Sequence, residues 1–383
     1  MKKIFLWGII ISLLLLTACS LPNFSAENET INAAEHGVSA QNSGELNSKA
    51  LQSIINEASL SGKTVYIPAG EYELAENGSQ KIGSHCIKMR SGVSIVGDGE
   101  KTVLKPVGHS RYGLDMFYFN DYLDTGDAVY LENCRFENFV IDASGTSCDV
   151  YTSAGKGFMF NLFKNCHFKN VTVKNTDATG FGVDCPIGCT ISGCTAIGCG
   201  KAATSESSGA SGFGIGFGFS ENESISISDC IAKGNKKFGF FFEHQGRFNI
   251  EKYDAVPAET FKISGCFAEG NLYGFGGINT FNTVYENCVS ENSHLYGFFF
   301  EDSFASGAVG CKSTGEKEAC FAAAQSLTAE DISINISGIY FSNCKGESSP
   351  IGLLTLGKEN APVPTAELCV FRDIHTEQVK KES

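Results

Sequence analysis

The sequence predicts an all-β chain wound as a single-stranded right-handed parallel β-helix, with a capping helix at its N-terminal end. Two observations predict it. A unit of about 22 residues recurs, with Cys266 to Cys288 separated by 22 and Cys288 to Cys311 by 23. Inside each unit the apolar runs are short, rich in β-branched and aromatic residues, and separated by Gly, Asn and Ser, which suits strands and turns and not a 3.6-residue helical pattern. The unit reads Cys230-Ile-Ala-Lys-Gly-Asn235 followed by Gly239-Phe-Phe-Phe-Glu243. It returns as Cys266-Phe-Ala-Glu-Gly-Asn271 with Gly274-Phe275, and as Cys288-Val-Ser-Glu-Asn292 with Gly297-Phe-Phe-Phe-Glu301. Earlier copies are Cys134-Arg-Phe-Glu-Asn138 and Cys166-His-Phe-Lys-Asn170.

The first element is not part of that solenoid. Lys2 and Lys3 precede a mostly apolar run from Ile4 to Leu16, which is shorter than the ~20 residues that span a bilayer and reads as a secretory signal. The run ends in Leu16-Thr17-Ala18-Cys19, which resembles the bacterial lipobox. That resemblance implies cleavage after residue 18, a lipid on Cys19, and a protein held on the exported face of a membrane in the cell envelope. Residues 19–30 are small and polar, as a tether should be. The net charge is −14, and loss of residues 1–18 removes two lysines and no acid, leaving −16. Such a balance argues against nucleic acid as a partner. The expected contact with membrane is through the lipid alone, and the expected state is a monomer.

Residues 31–74 form the expected cap. Leu51, Ile54, Ile55 and Ala58 fall on one helical face, with Ser48 expected near its opening. Lys63-Thr-Val-Tyr-Ile67 then reads as a strand and Pro68-Ala69-Gly70 as a turn. A solenoid leaves its first coil open and needs such a cover. Residues 75–375 are expected to be the β-helix. Stacked coils bring equal positions into ladders about 4.8 Å apart, so the 30 Phe should stack inside. The recurring Cys should form a ladder of buried thiols and not disulfides, with Cys185, Cys189 and Cys199 expected to stand outside it.

The cap helix followed by Val65-Tyr-Ile-Pro-Ala-Gly-Glu-Tyr72 resembles the start of the pectate lyase and polygalacturonase superfamily. The similarity covers roughly residues 31–350, although Ala34-Glu-His-Gly-Val-Ser-Ala-Gln-Asn-Ser43 replaces the Asp-rich segment usual before that helix. It implies the pectin-lyase-like solenoid and a polysaccharide partner. Gly180-Phe-Gly-Val-Asp184-Cys185-Pro186 is also similar to the catalytic strand of bacterial mannuronan epimerases, Gly-Tyr-Gly-Phe-Asp-Pro-His-Glu. Asp184 alone carries over; the family's His and Glu have no counterpart here.

Aligning the coils on the Gly-Phe step puts Asp184, Gly216, Glu243, Ile278 and Glu301 at one position. The next position holds Cys185, Phe217, His244, Asn279 and Asp302. Acids at the edge of a turn are ordinarily just solvated. Here the loops beside them are long: residues 245–259 carry an insertion of 13 residues, and residues 200–208 carry another. Long loops on one side of a solenoid wall a binding groove. Glu243-His244-Gln245-Gly246-Arg247 places an acid, an imidazole and a guanidinium at the mouth of the larger insertion. Glu243, His244, Arg247, Asp184 and Glu301 are therefore the expected catalytic residues. Asn279, Asp302, Gln245 and Lys201 are the expected substrate contacts.

Three functions follow. In a lyase or epimerase acting on a uronate-containing glycan, His244 would remove the proton beside the carboxylate. Arg247, or a Ca²⁺ held by Asp184 and Glu243, would blunt the developing charge. An inverting glycoside hydrolase of the polygalacturonase type would use Asp184 with Glu243, or Glu243 with Glu301, each pair two coils or about 9.6 Å apart. A surface protein that binds glycan without catalysis is the third.

Overall fold

A computed structural model describes residues 29–204, 209–245, 255–325, 338–357 and 363–381. Residues that tolerate left-handed backbone turn the chain at fixed places in every coil. One such position lies just before each ladder cysteine, at Gly193, Asp229, Gly265, Asn287, Gly310 and Asn343, with φ from +51° to +64°. A second lies four residues after the cysteine, at Gly198, Gly234, Gly270, Asn292 and Gly315. Between them only a three-residue strand fits, as in Ile231–Lys233, Phe267–Glu269 and Val289–Glu291. The strands pair in parallel with the same strands of the next coil, in one sheet of twenty-two strands and a second of thirteen. The coils wind right-handed, as parallel β crossovers do, and the last of them reaches Lys381.

The core fills as the ladders predict. Phe117, Phe158, Phe181, Phe213, Phe240, Phe275, Phe298 and Phe321 form one continuous stack, each pair of rings 4.7–5.4 Å apart at the centroid and within 21° of parallel. Stacked rings of this kind add about 0.5–1.5 kcal/mol per pair beyond the area they bury.

Cysteines line the opposite wall. Cys194, Cys230, Cys266, Cys288, Cys311, Cys344 and Cys369 succeed one another coil to coil, each carbonyl but the last accepting the N–H of the residue after the next cysteine, as Cys194 does from Ile231 and Cys230 from Phe267. Every described cysteine is a free thiol. Cys189 departs from expectation: it continues a shorter ladder with Cys134 and Cys166. Cys185 and Cys199 do stand outside both ladders, as buried thiols. Burial pushes the Cys230 thiol far up from its ordinary value, so it stays protonated and inert. The ladder thiols Cys230, Cys266, Cys288 and Cys311 are at most 1% exposed, so iodoacetamide should label them in denaturant without reductant and leave them unlabelled in the folded protein. A disulfide-linked peptide joining any two would contradict the ladder.

The cap helix runs Gly44–Ser61 and buries Leu51, Ile54, Ile55 and Ala58 as expected. It begins one turn earlier than Ser48. Ser43 occupies the N-cap, while Ser48 is buried inside the helix, its hydroxyl 2.8 Å from the Ala75 carbonyl and 3.0 Å from the Ala75 N–H. Thr30–Asn32 pairs with Thr64–Tyr66 and extends the first sheet under the cap.

Candidate active site

The second sheet presents its outer face along strands Phe158–Lys164, Phe181–Ile187, Phe213–Phe217 and Phe238–His244. Alternation along a strand sends Phe240 and Phe242 inward and Phe241 and Glu243 outward. Register pairs Asn161 with Asp184, Gly216 with Glu243, Glu243 with Ile278, and Ile278 with Glu301. Phe181 pairs with Phe213 and Gly182 with Gly214, and the same offset sets Asp184 level with Gly216, so the acids read from the Gly-Phe alignment fall on one row.

Asp184, Glu243 and Gln245 meet with Lys156, Thr179 and Phe241 around a cleft of about 240 Å³. Gly182, Gly214 and Gly216 make its floor. The glycines are there for space. A Cβ on Gly216 would fall 2.3 Å from Gln245 Nε2 and 2.7 Å from Asp184 Oδ1; one on Gly182 would fall 2.5 Å from Lys156 Cδ. Without Cβ atoms in the way, Asp184, Gln245 and Lys156 lie down across the sheet. Asp184 Oδ1 accepts the Gly216 N–H at 2.7 Å. Burial pushes its carboxyl above the ordinary value, and Lys156 and the Gly216 N–H only partly offset that.

Lys156 escaped the sequence reading because it precedes the Gly-Phe step and belongs to a neighbouring coil. Its backbone is fixed by Asp115, whose Oδ1 accepts the N–H of Gly155 at 2.8 Å and of Lys156 at 2.6 Å, while Oδ2 accepts from Gln80 Nε2 at 2.7 Å. Asp115 is fully buried, and that burial raises its carboxyl above the ordinary value. Glu223 was also missed. It accepts the N–H groups of Gly218, Phe219 and Ser220 at 2.6–3.2 Å and braces the turn after Phe217. Burial raises it to about 7 despite those three donors.

Several expected residues lie elsewhere. His244 does not share the cleft with Glu243. Its Nε2 is 2.9 Å from the Ala255 carbonyl, and its buried ring meets Phe217 and Phe281 edge-on. The cause is strand parity: if Glu243 faces out, its neighbour faces in. Lys201 is spent on structure. Its Nζ reaches the Ala143 carbonyl, the Thr146 hydroxyl at 3.1 Å and the buried Asp177 at 3.4 Å. Asn279 and Asp302 are buried left-handed residues, φ +52° and +46°, that end their strands. Glu301 is two coils beyond Glu243, outside the cleft. Arg247 and Cys19 lie outside the described residues.

A calcium ion collects six to eight oxygens. Asp184 and Glu243 come from separate coils, the Gln245 amide and the Ser153 and Thr179 hydroxyls line the same cleft, and among the described residues no three His, Cys, Asp or Glu side chains are grouped to hold a metal. With two acidic ligands and no third among the described residues, the cleft lacks the carboxylate set that usually holds Ca²⁺.

Residues 30–298 match the family described as rhamnogalacturonase A/epimerase, pectate lyase-like. A search of curated proteins finds no match. Solved structures match the winding of this chain. The A-module of the Azotobacter vinelandii mannuronan C-5 epimerase AlgE4 is 14% identical, with TM-score 0.54 over 93% of this chain and 100% of that one. The tailspike protein of E. coli bacteriophage HK620, in complex with a hexasaccharide, is 14% identical, with TM-score 0.62 over 92% of this chain and 63% of that one. ORF18 of Geobacillus virus E2 is 16% identical, with TM-score 0.57 over 92% and 61%. This chain therefore spans under two thirds of each viral protein. At such identities the likeness is one of fold alone.

Proposed function

For a chain that belongs to the rhamnogalacturonase A/epimerase, pectate lyase-like family, we propose that the cleft at Asp184 and Glu243 cleaves a polysaccharide by inverting hydrolysis. One observation carries the reading: two carboxyls face one cleft, with Gly216 of the intervening strand level with Glu243 between them. Their strands are about 9.6 Å apart. Asp184 leans over Gly216, the register partner of Glu243, and inverting enzymes hold their carboxyls roughly 6.5–9.5 Å apart. Asp184, raised by burial, protonates the departing glycosidic oxygen. Glu243 takes a proton from the water that attacks the opposite face of the sugar.

Lys156 favours a second reading, lysis or epimerisation of a uronate-containing glycan. Its ammonium would face the uronate carboxylate, with Glu243 in place of His244 as the base. Two carboxylates against one described cation make the cleft a poor host for a polyanion, so hydrolysis ranks first. The lipobox ending at Cys19 supports a place for this activity at the bacterial cell envelope, on the exported side of the membrane.

The deciding experiment incubates the protein with neutral and uronate polysaccharides in the presence and absence of a chelator. It follows reducing ends, the ultraviolet absorbance of unsaturated products, and the anomer first formed. Reducing ends of inverted anomer, unaffected by chelator, are the expected result. Absorbing products would install the lyase. Binding without cleavage of any substrate would leave a glycan-binding surface protein.

A further inference from the structure

A second group of reactive side chains stands on the first sheet, away from the cleft. Strand Gly145–Cys148 pairs in parallel with strand Thr102–Ser110, and Ser147 and His109 are direct partners across the pair. His109 Nδ1 is 3.1 Å from Ser147 Oγ. His109 Nε2 is 3.3 Å from Asp149 Oδ1. A solvated cross-strand pair accounts for one of those contacts. It does not account for both nitrogens being engaged on a ring that is 56% exposed and otherwise at liberty to turn. The pairing also fixes the tautomer. The Asp149 carboxylate accepts only N–H, so Nε2 carries the proton and Nδ1 offers its lone pair to the Ser147 hydroxyl.

A cleft of about 260 Å³ opens beside the ring, between Val107, Gly108 and Leu114 on one side and Glu45 of the cap helix and Glu76 on the other. A Cβ on Gly108 would meet nothing within 4 Å, so the place next to His109 is open. Nothing in the glycosidic chemistry uses these residues.

We propose that Ser147, His109 and Asp149 form a separate acyl-transfer site that hydrolyses short, uncharged acyl esters. Ser147 Oγ bonds to the ester carbonyl carbon as its proton passes to Nδ1 of His109. The C–O bond to the alcohol then breaks, and the alcohol leaves with that proton. Water, deprotonated by the same nitrogen, attacks the acyl-serine and releases the carboxylic acid and free Ser147. Ester and water become acid and alcohol, with no redox change. Ser147 itself stands open to solvent, as an ester borne by a larger molecule such as a sugar requires, while the cleft lies on the other side of the His109 ring. Glu45 and Glu76 repel esters of anionic acids.

p-Nitrophenyl acetate hydrolysis by the full chain tests this. Ser147→Ala and His109→Ala should each lower the rate by about 10²-fold or more, and the double variant should be no slower than either, because the two act as one unit. An acetyl adduct should be trapped on the Ser147 peptide. All three side chains are exposed, so melting temperatures should hold, and Ser147→Ala should leave glycan cleavage intact. A full rate in Ser147→Ala overturns the proposal, whether or not His109→Ala is slow, since an imidazole acting alone needs no serine. An adduct on any other residue overturns it too.

Discussion

Asp184→Asn lowers turnover of a cleaved glycan by about 10²–10⁴-fold, the usual worth of one positioned proton donor. The amide fills the same space and can still accept the Gly216 N–H, so the melting temperature should hold within the small range of a solvent-side change. Glu243→Gln should cost a similar factor. The double variant should cost far less than the product of the two, because neither group works without the other. The pH profile separates their roles. Asp184 must be protonated to act, so wild-type turnover falls as pH rises through its raised value. In Asp184→Asn that alkaline limb should vanish from the residual rate. His244→Ala, by contrast, should cost stability more than turnover, since its ring packs between Phe217 and Phe281. Full turnover in both carboxyl variants would move the site elsewhere on the solenoid.

Phe240→Ala should destabilise the fold by about 3–5 kcal/mol, the range for emptying a buried aromatic site. Phe240 has no exposed surface and sits 4.7 Å from Phe213 and 4.9 Å from Phe275, nearly parallel to both. The coils around it are pinned by strand pairing on both sides, so the hole cannot collapse. Each coil of a solenoid is held by its neighbours alone, so the break should also split denaturant unfolding into two transitions. Phe304→Ala is the control: that ring is 46% exposed and its loss should stay within about 1 kcal/mol. Equal losses in the two variants would mean that the stack does not organise the core.

The winding was legible because it is written locally and repeatedly. A cysteine, a left-handed Asn or Gly four residues on, and a Gly-Phe step recur at nearly constant spacing, and each enforces the same turn or the same inward side chain whatever lies far away. The acid row was legible for the same reason, since parallel stacking converts equal sequence position into adjacency. The inward placement of His244 was also open to parity, because an outward Glu243 obliges its neighbour to face inward. Only the tertiary structure could decide the rest. Lys156 reaches Asp184 by lying across Gly182 of another coil, from a backbone position held by Asp115 some forty residues earlier. Lys201 is drawn off by a buried Asp177 that no pattern links to it. Where long side chains end depends on which neighbour leaves a gap and which buried charge must be met. Those are properties of packing between coils, and sequence period does not encode them.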